Sequence, residues 1–185
     1  PGVRRQRIYD ASGQKANLIA WAGPEADATR DGLIVSGHLD CVPVEAHGWS
    51  SDPFVVREQS GRLYGRGVCD MKGFDAIAIN AFAQVAPRAT RPLVLMLSYD
   101  EEVGSHGIAR MAEQLDPNAL PQEALIGEPT AGQMVSLHKG HLRFTLNSRG
   151  KNAHTAFPQD GLNAIEPLAE AAVRLATLRR TFEQE

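Results

Sequence analysis

Three short apolar runs, each closing on side chains that bind metals, constrain this chain more than any other feature. Leu93-Val-Leu-Met-Leu97 is bounded by Pro92 on one side and by Asp100, Glu101 and Glu102 on the other. Its uninterrupted apolar character predicts a strand over 93–99 in the interior of a parallel sheet. The run at 33–37 leads into His38-Leu-Asp40, and Ala124-Leu-Ile-Gly leads into Glu128. Adjacent carboxylates at a strand end repel each other and lose hydration, so Glu101 and Glu102 persist there only with a cation beside them. Strands that deliver such groups at their carboxyl ends put them where open α/β sheets build their sites. A metal site is the leading expectation.

The segments between these runs support a doubly wound α/β order. Phe74, Ile77, Ala78, Ala81, Phe82 and Val85 recur at helical spacing and predict a helix over 72–86 that Pro87 ends. Ile108, Met111, Ala112 and Leu115 share the face of a second helix, stopped at Asp116-Pro117. Ahead of the first core strand, Arg7-Ile-Tyr9 and residues 17–21 flank a turn at Ser12-Gly13 and predict a two-stranded opening. Residues 42–66 predict a long ordered excursion with a hairpin pairing 54–56 with 62–64. Strand, helix, strand, helix, strand is the grammar of an α/β domain over 1–133. From 134 to 185 the pattern changes. Residues 135–147 predict an extended strand, and Ile165, Leu168, Ala169, Ala172 and Ala176 mark an amphipathic helix. One strand and one helix cannot bury themselves, so this part is expected to be the opening of a second, truncated domain.

Composition excludes several classes. A net charge of −3 over 185 residues leaves no electrostatic footprint for nucleic acid or an anionic membrane. The longest apolar stretches reach about six residues, against the roughly 20 that span a bilayer. No charged and apolar leader pattern opens the sequence. Cys41 and Cys69 are too few for a disulfide framework or a thiolate zinc cluster. They are expected to be small buried residues in a reducing cytoplasm, with a redox or third-metal role as the alternative.

Each candidate residue has a bland reading beside the chemical one. In an extended segment His38 and Asp40 face the same way, so Asp40 can fix the imidazole that meets a metal; a simple structural pair is equally open. Asp70, at the exit of the Gly65-Arg-Gly67 turn, is a ligand candidate or an N-terminal cap of the following helix. A phosphate loop is excluded, since Gly-Lys-Ser/Thr is missing. Strand alternation sends Glu101 and Glu102 in different directions, one toward metal and one toward substrate; a solvated acidic strand end is the alternative. Glu128, held extended by Pro129, is a ligand or a surface glutamate in a turn. Zinc accepts this N/O mixture, and two metals about 3.5–4 Å apart can share one carboxylate, activate a water and polarise a carbonyl. Glu101 would then move the proton from that water to a leaving amine.

The motifs Gly37-His-Leu-Asp-Cys-Val-Pro43, Tyr64-Gly-Arg-Gly-Val-Cys-Asp-Met-Lys-Gly-Phe74, Ser98-Tyr-Asp-Glu-Glu-Val-Gly104 and Ile126-Gly-Glu-Pro-Thr130 carry a resemblance over nearly the full chain. They resemble the acetylornithine deacetylase, succinyl-diaminopimelate desuccinylase, aminoacylase and carboxypeptidase G family of dinuclear zinc amidohydrolases. Ser98–Gly104, Gly127–Thr130 and His138-Lys-Gly140 look most like its acetylornithine deacetylase branch. The resemblance implies two Zn²⁺, replaceable by Co²⁺, in an α/β catalytic domain of the zinc-peptidase type with an inserted α+β lid. It implies that His38 and Glu128 bind one metal, Glu102 binds the other, and Asp70 bridges them ahead of a cis peptide to Met71. Glu101 would be the general base and Asp40 the orienter of His38. His154, in Gly150-Lys-Asn-Ala-His154, would reach a partner subunit's site in a lid-mediated homodimer and steady the oxyanion.

The substrate implied is a small N-acylated amino acid, foremost N-acetyl-L-ornithine in arginine biosynthesis. A related N-acylamino-acid hydrolase or small-peptide carboxypeptidase is the alternative. The family's second metal also takes a histidine near the C-terminus, whereas this sequence stops at Glu185 within the lid. The expectation is therefore a truncated chain with one complete metal site, and for these 185 residues alone a metal-binding fragment without turnover.

Overall fold

The computed structural model describes residues 2–25, 31–45 and 47–182. The chain separates into two compact units, Pro1–Met134 and Val135–Glu185.

The first unit is built on a five-stranded mixed sheet. Its strands are β1 (Arg4–Tyr9), β2 (Ala16–Ala22), β3 (Leu33–His38), β6 (Leu93–Ser98) and β7 (Glu123–Ile126), ordered β1-β2-β6-β3-β7. The β1–β2 hairpin joins β6 antiparallel, whereas β6, β3 and β7 run parallel. Helix α1 (Gly73–Val85) connects β3 to β6, and α2 (His106–Ala112) lies between β6 and β7. Chain order thus moves from β3 outward to β6 and then back past β3 to β7. This reversal is the switch point at which doubly wound sheets open a crevice beyond their carboxyl ends.

The apolar run of β6 supplies both faces of the core, as its pattern predicts. Leu95 and Leu97 pack with Phe82, Ala78 and Ala86 of the α1 side, while Val94 and Met96 pack with Ile8, Ile19 and Met111 of the α2 side. Period-two alternation assigns the strand to two helices at once. Phe82 alone, almost fully buried, contributes about 1.5–3 kcal/mol of transfer free energy.

Two expectations are corrected. The short hairpin pairs β4 (Arg57–Gln59) with β5 (Arg62–Tyr64), displaced from 54–56. Asp52 consumes the earlier residues in an Asx turn: its Oδ1 accepts from the Phe54 amide at 2.9 Å and its carbonyl from that of Val55. Residues 135–147 form no strand, because an extended segment acquires β structure only with a hydrogen-bonding neighbour. In this second unit the regular element is α3 (Ile165–Phe182), and an isolated bridge joins Lys151 to Leu162. Among the described residues no helix is long and apolar enough to cross a membrane.

Candidate metal centre

His38 ends β3 with only 2% of its surface exposed. Its Nδ1 faces the Asp40 backbone carbonyl at 3.1 Å, a pure acceptor, so Nδ1 carries the proton and donates it. The Asp40 carboxylate lies 3.4 Å from the same nitrogen. Nε2 is thereby turned toward Asp70 Oδ1, 3.1 Å away. This is the orientation that second-sphere acceptors impose on metal-binding imidazoles.

Asp40 also does something the sequence did not suggest. Its two oxygens accept the backbone N–H groups of Glu101, at 3.0 Å, and Glu102, at 3.1 Å. One carboxylate thus ties the end of β3 to the turn that follows β6. The strand stops at Ser98, and Asp100 takes a left-handed φ of 55° held by Lys15, whose Nζ reaches both Asp100 oxygens at 2.7 Å. Glu101 and Glu102 therefore lie in a turn, and strand alternation does not set their directions. Asn17 braces the far side: its Oδ1 accepts from the Tyr99 amide at 3.2 Å while Nδ2 donates to the Gly107 carbonyl at 2.9 Å. A Cβ on Gly107 would fall 2.2 Å from the Tyr99 oxygen, so the loop closes only around a glycine.

Asp70 sits in a bent turn over Val68–Lys72, with extended φ/ψ of −122° and 98° and a cis peptide to Met71. Its side chain caps nothing. Lys72 donates to the Leu39 carbonyl and locks this turn against the end of β3.

His38, Asp70 and Glu128 each offer one ligand atom, and the three lie within 4.8 Å of one another. A tetrahedral ion with bonds of about 2.1 Å has ligand edges of about 3.4 Å, so the donors need only small adjustments. Electrostatics agree with a cation-seeking set. Burial, then Asp70, push the Glu128 carboxyl above its usual range, and the same two causes raise Glu102. For His38 burial opposes protonation, but the Asp70 hydrogen bond and the charges of Asp40, Glu128 and Glu101 outweigh it and raise its pKa. Surplus negative charge packed around one imidazole is relieved by a divalent ion.

The other expected residues fall out differently. Glu102 stands outside the triad and lines an adjoining cavity with Asp70. His154, in the second unit, is exposed, its Nδ1 accepting from the Ala156 amide at 3.1 Å. Cys41 is half-buried and Cys69 exposed, both free, which corrects the expectation of two buried thiols. Asp75, on the first turn of α1, carries no sequence signal of burial. It is buried, and neither carboxylate oxygen has a hydrogen-bond partner.

Comparison with known proteins gives the chain its family. Residues 34–181 match peptidase family M20/M25/M40. The acetylornithine deacetylase of Pectobacterium carotovorum subsp. carotovorum (strain PC1) is 37% identical over 171 residues, covering 92% of this chain and 43% of that protein. That of Proteus mirabilis (strain HI4320) is 39% identical over 166 residues, covering 89% and 41%. The chain spans less than half the length of these curated relatives. Among solved structures, human carnosine dipeptidase 1 superposes with a TM-score of 0.50 at 27% identity, over 61% of this chain and 26% of that one. Aminopeptidase PepT from Bacillus cereus ATCC 10987 gives 0.52 at 19% identity over 91% and 46%, a likeness of fold alone.

Proposed function

The chain belongs to peptidase family M20/M25/M40, and from that premise we propose that it is the metal-binding part of an amidohydrolase that removes the acetyl group from N-acetyl-L-ornithine. The observation that carries the reading is the convergence of His38, Asp70 and Glu128 at the carboxyl ends of parallel strands, beside two glutamates whose amides Asp40 pins. The acetylornithine deacetylases at 36–39% identity support the substrate.

In this reading His38 and Glu128 would hold one zinc and Glu102 a second, with Asp70 serving both, and Co²⁺ would be an acceptable substitute. A bound divalent ion supplies Lewis acidity toward a water and an amide carbonyl. The chain's own residues do the rest. Glu101 takes a proton from the attacking water and returns it to the departing amine. Asp40 fixes the backbone of both glutamates and keeps the His38 proton on Nδ1. The second unit is the start of a lid that pairs two subunits, through which His154 serves the partner's site. A cytoplasmic place in arginine biosynthesis completes the proposal.

The test is acetate release from N-acetyl-L-ornithine by the full-length protein containing this chain, against a panel of N-succinyl, other N-acetyl and dipeptide substrates. Faster turnover of another substrate would remove acetylornithine from the proposal. For the 185-residue chain alone a second reading, metal binding without turnover, is favoured by one observation: the three clustered donors make one group, and Glu102 lies outside it. Elemental analysis after zinc saturation separates the two. About one zinc per chain supports the fragment reading, and two tightly held zincs refute it.

A further inference from the structure

The turn that carries Glu101 and Glu102 is gripped from outside the centre by a residue of the N-terminal hairpin. Lys15 Nζ reaches both Asp100 oxygens at 2.7 Å, and the Asp100 side chain is only 20% exposed. Asp100 adjoins Glu101 in the chain. Its φ of 55° is a left-handed conformation that side chains adopt at a cost, aspartate less than most. The setting of Asp100 therefore decides how the backbone enters the acidic turn.

Lys15 is itself held in place. Asp10 closes the β1–β2 turn around it: Asp10 Oδ1 accepts from the Lys15 amide at 3.0 Å, and the Asp10 amide donates to the Lys15 carbonyl at 3.0 Å. The Ser12 hydroxyl donates to the other Asp10 oxygen. Two residues beyond Lys15, Asn17 faces the same way and binds the Tyr99 amide and the Gly107 carbonyl. One edge of the hairpin thus holds both Tyr99 and Asp100, while Asp40 holds the amides of Glu101 and Glu102 from the side of the centre. An ion pair as exposed as this one shifts an equilibrium by no more than about fivefold. That is too little to hold a fold together, and enough to set how often a short turn is in register.

We propose that Lys15 is a positioning residue for the reaction: by holding Asp100 it fixes the turn that aims Glu101 at the attacking water, a role that rests on the hydrolase reading above. Lys15 acts through Asp100 and not on the substrate. Small displacements of a proton-transferring group are costly in rate, so the hairpin at the far edge of the sheet contributes to kcat and leaves substrate and metal binding alone.

The experiment measures acetate release from N-acetyl-L-ornithine by the zinc-loaded full-length protein carrying Lys15→Arg, Lys15→Met or Lys15→Glu, with zinc content and hydrogen exchange over residues 99–105 read on the same samples. Expected is a kcat lowered about three- to fivefold in Lys15→Met and about tenfold in Lys15→Glu, which repels Asp100, with KM and zinc content within about twofold of the parent. Lys15→Arg, which can pair with both Asp100 oxygens, should retain the parent kcat. Exchange should quicken in the same order. Asp100→Asn keeps a residue that tolerates the left-handed φ but loses the charge; combined with Lys15→Met it should lose no more than the worse single variant. A kcat in Lys15→Glu within about twofold of the parent overturns the assignment, as does a loss carried by KM or zinc content, or an additive loss in the double variant. Should Lys15→Glu fail to fold, an unchanged kcat in Lys15→Met overturns it equally. A parent that releases no acetate removes the hydrolase reading instead. Quickened exchange in Lys15→Glu would then retain Lys15 as the anchor of the turn, and unchanged exchange would remove it as well.

Discussion

Asp75 offers a sharp test of the energetics around the centre, because replacing it should stabilise the protein. It is the third residue of α1, 4% exposed, with both oxygens unpartnered. A Cβ on Gly37 would lie 2.0 Å from Asp75 Oδ1, so the carboxyl group is pressed against the β3 backbone under His38. Leaving a buried polar group unpaired costs about 1–3 kcal/mol. Alanine adds about 0.5 kcal/mol of helix propensity. Against this stand about 0.3–1 kcal/mol of favourable N-terminal charge and about 1 kcal/mol for the small void left behind. Asp75→Ala should therefore stabilise the fold by about 1 kcal/mol at neutral pH. Burial holds the Asp75 carboxyl above its ordinary 3.8, although His38 and Lys72 pull the other way. The native state thus binds the proton more tightly than the unfolded chain, and stability falls as pH rises from the unfolded value through the raised one. The variant lacks that fall, so its advantage should be small in acid and widen toward neutrality. Urea unfolding of the metal-free chain across this range, with Asp75→Asn as the non-ionising control, measures it. A destabilised variant at neutral pH, or an advantage that does not change with pH, would show that the carboxylate has a partner in solution and refute the reasoning.

Other consequences concern the loop and the ligands. Asn17→Ala orphans the Tyr99 N–H and the Gly107 carbonyl, and should cost about 2–4 kcal/mol; unchanged hydrogen exchange at the Tyr99 amide would argue against the brace. Glu101→Ala in the full-length protein should abolish hydrolysis with metal content nearly intact, whereas Glu102→Ala should lose metal. Equal metal loss by elemental analysis would show that the pair is misassigned. Zinc binding should release protons and tighten as pH rises, because His38, Glu102 and Glu128 all hold protons above their ordinary values and must surrender them. Calorimetry in buffers of different ionisation enthalpy counts those protons, and an affinity flat between about pH 5 and 8 would contradict the shifts.

The sheet and the triad were legible because they depend on local patterns. A continuous apolar run bounded by Pro92 and an acidic cluster specifies a buried strand whichever strands flank it, and the runs that end at His38 and just before Glu128 carry those two candidate ligands with them. What escaped depends on close approach between distant segments. Helical spacing puts Asp75 beside Ala78 and Phe82, at i, i+3 and i+7 of α1, but a carboxylate at an apolar position gives no sign of burial in the chain itself; it is buried because Gly37 has no side chain to keep α1 away. The same blindness misplaced the hairpin, where Asp52 had already claimed Phe54 and Val55 for a turn.

Asp40 shows why spacing alone undercounts a site. From the chain, His38-Leu-Asp40 suggests one task, the orientation of a ring. In the fold the carboxylate also accepts two amides from residues 61 and 62 positions away, so a single group registers the end of β3 against the turn after β6. If that registration matters more than the imidazole contact, Asp40→Asn, which retains one acceptor oxygen, should lose less metal than Asp40→Ala, in which both glutamate amides are released. Equal zinc affinity in the two variants would mean that the contact to His38 governs the centre and that the amides find water instead.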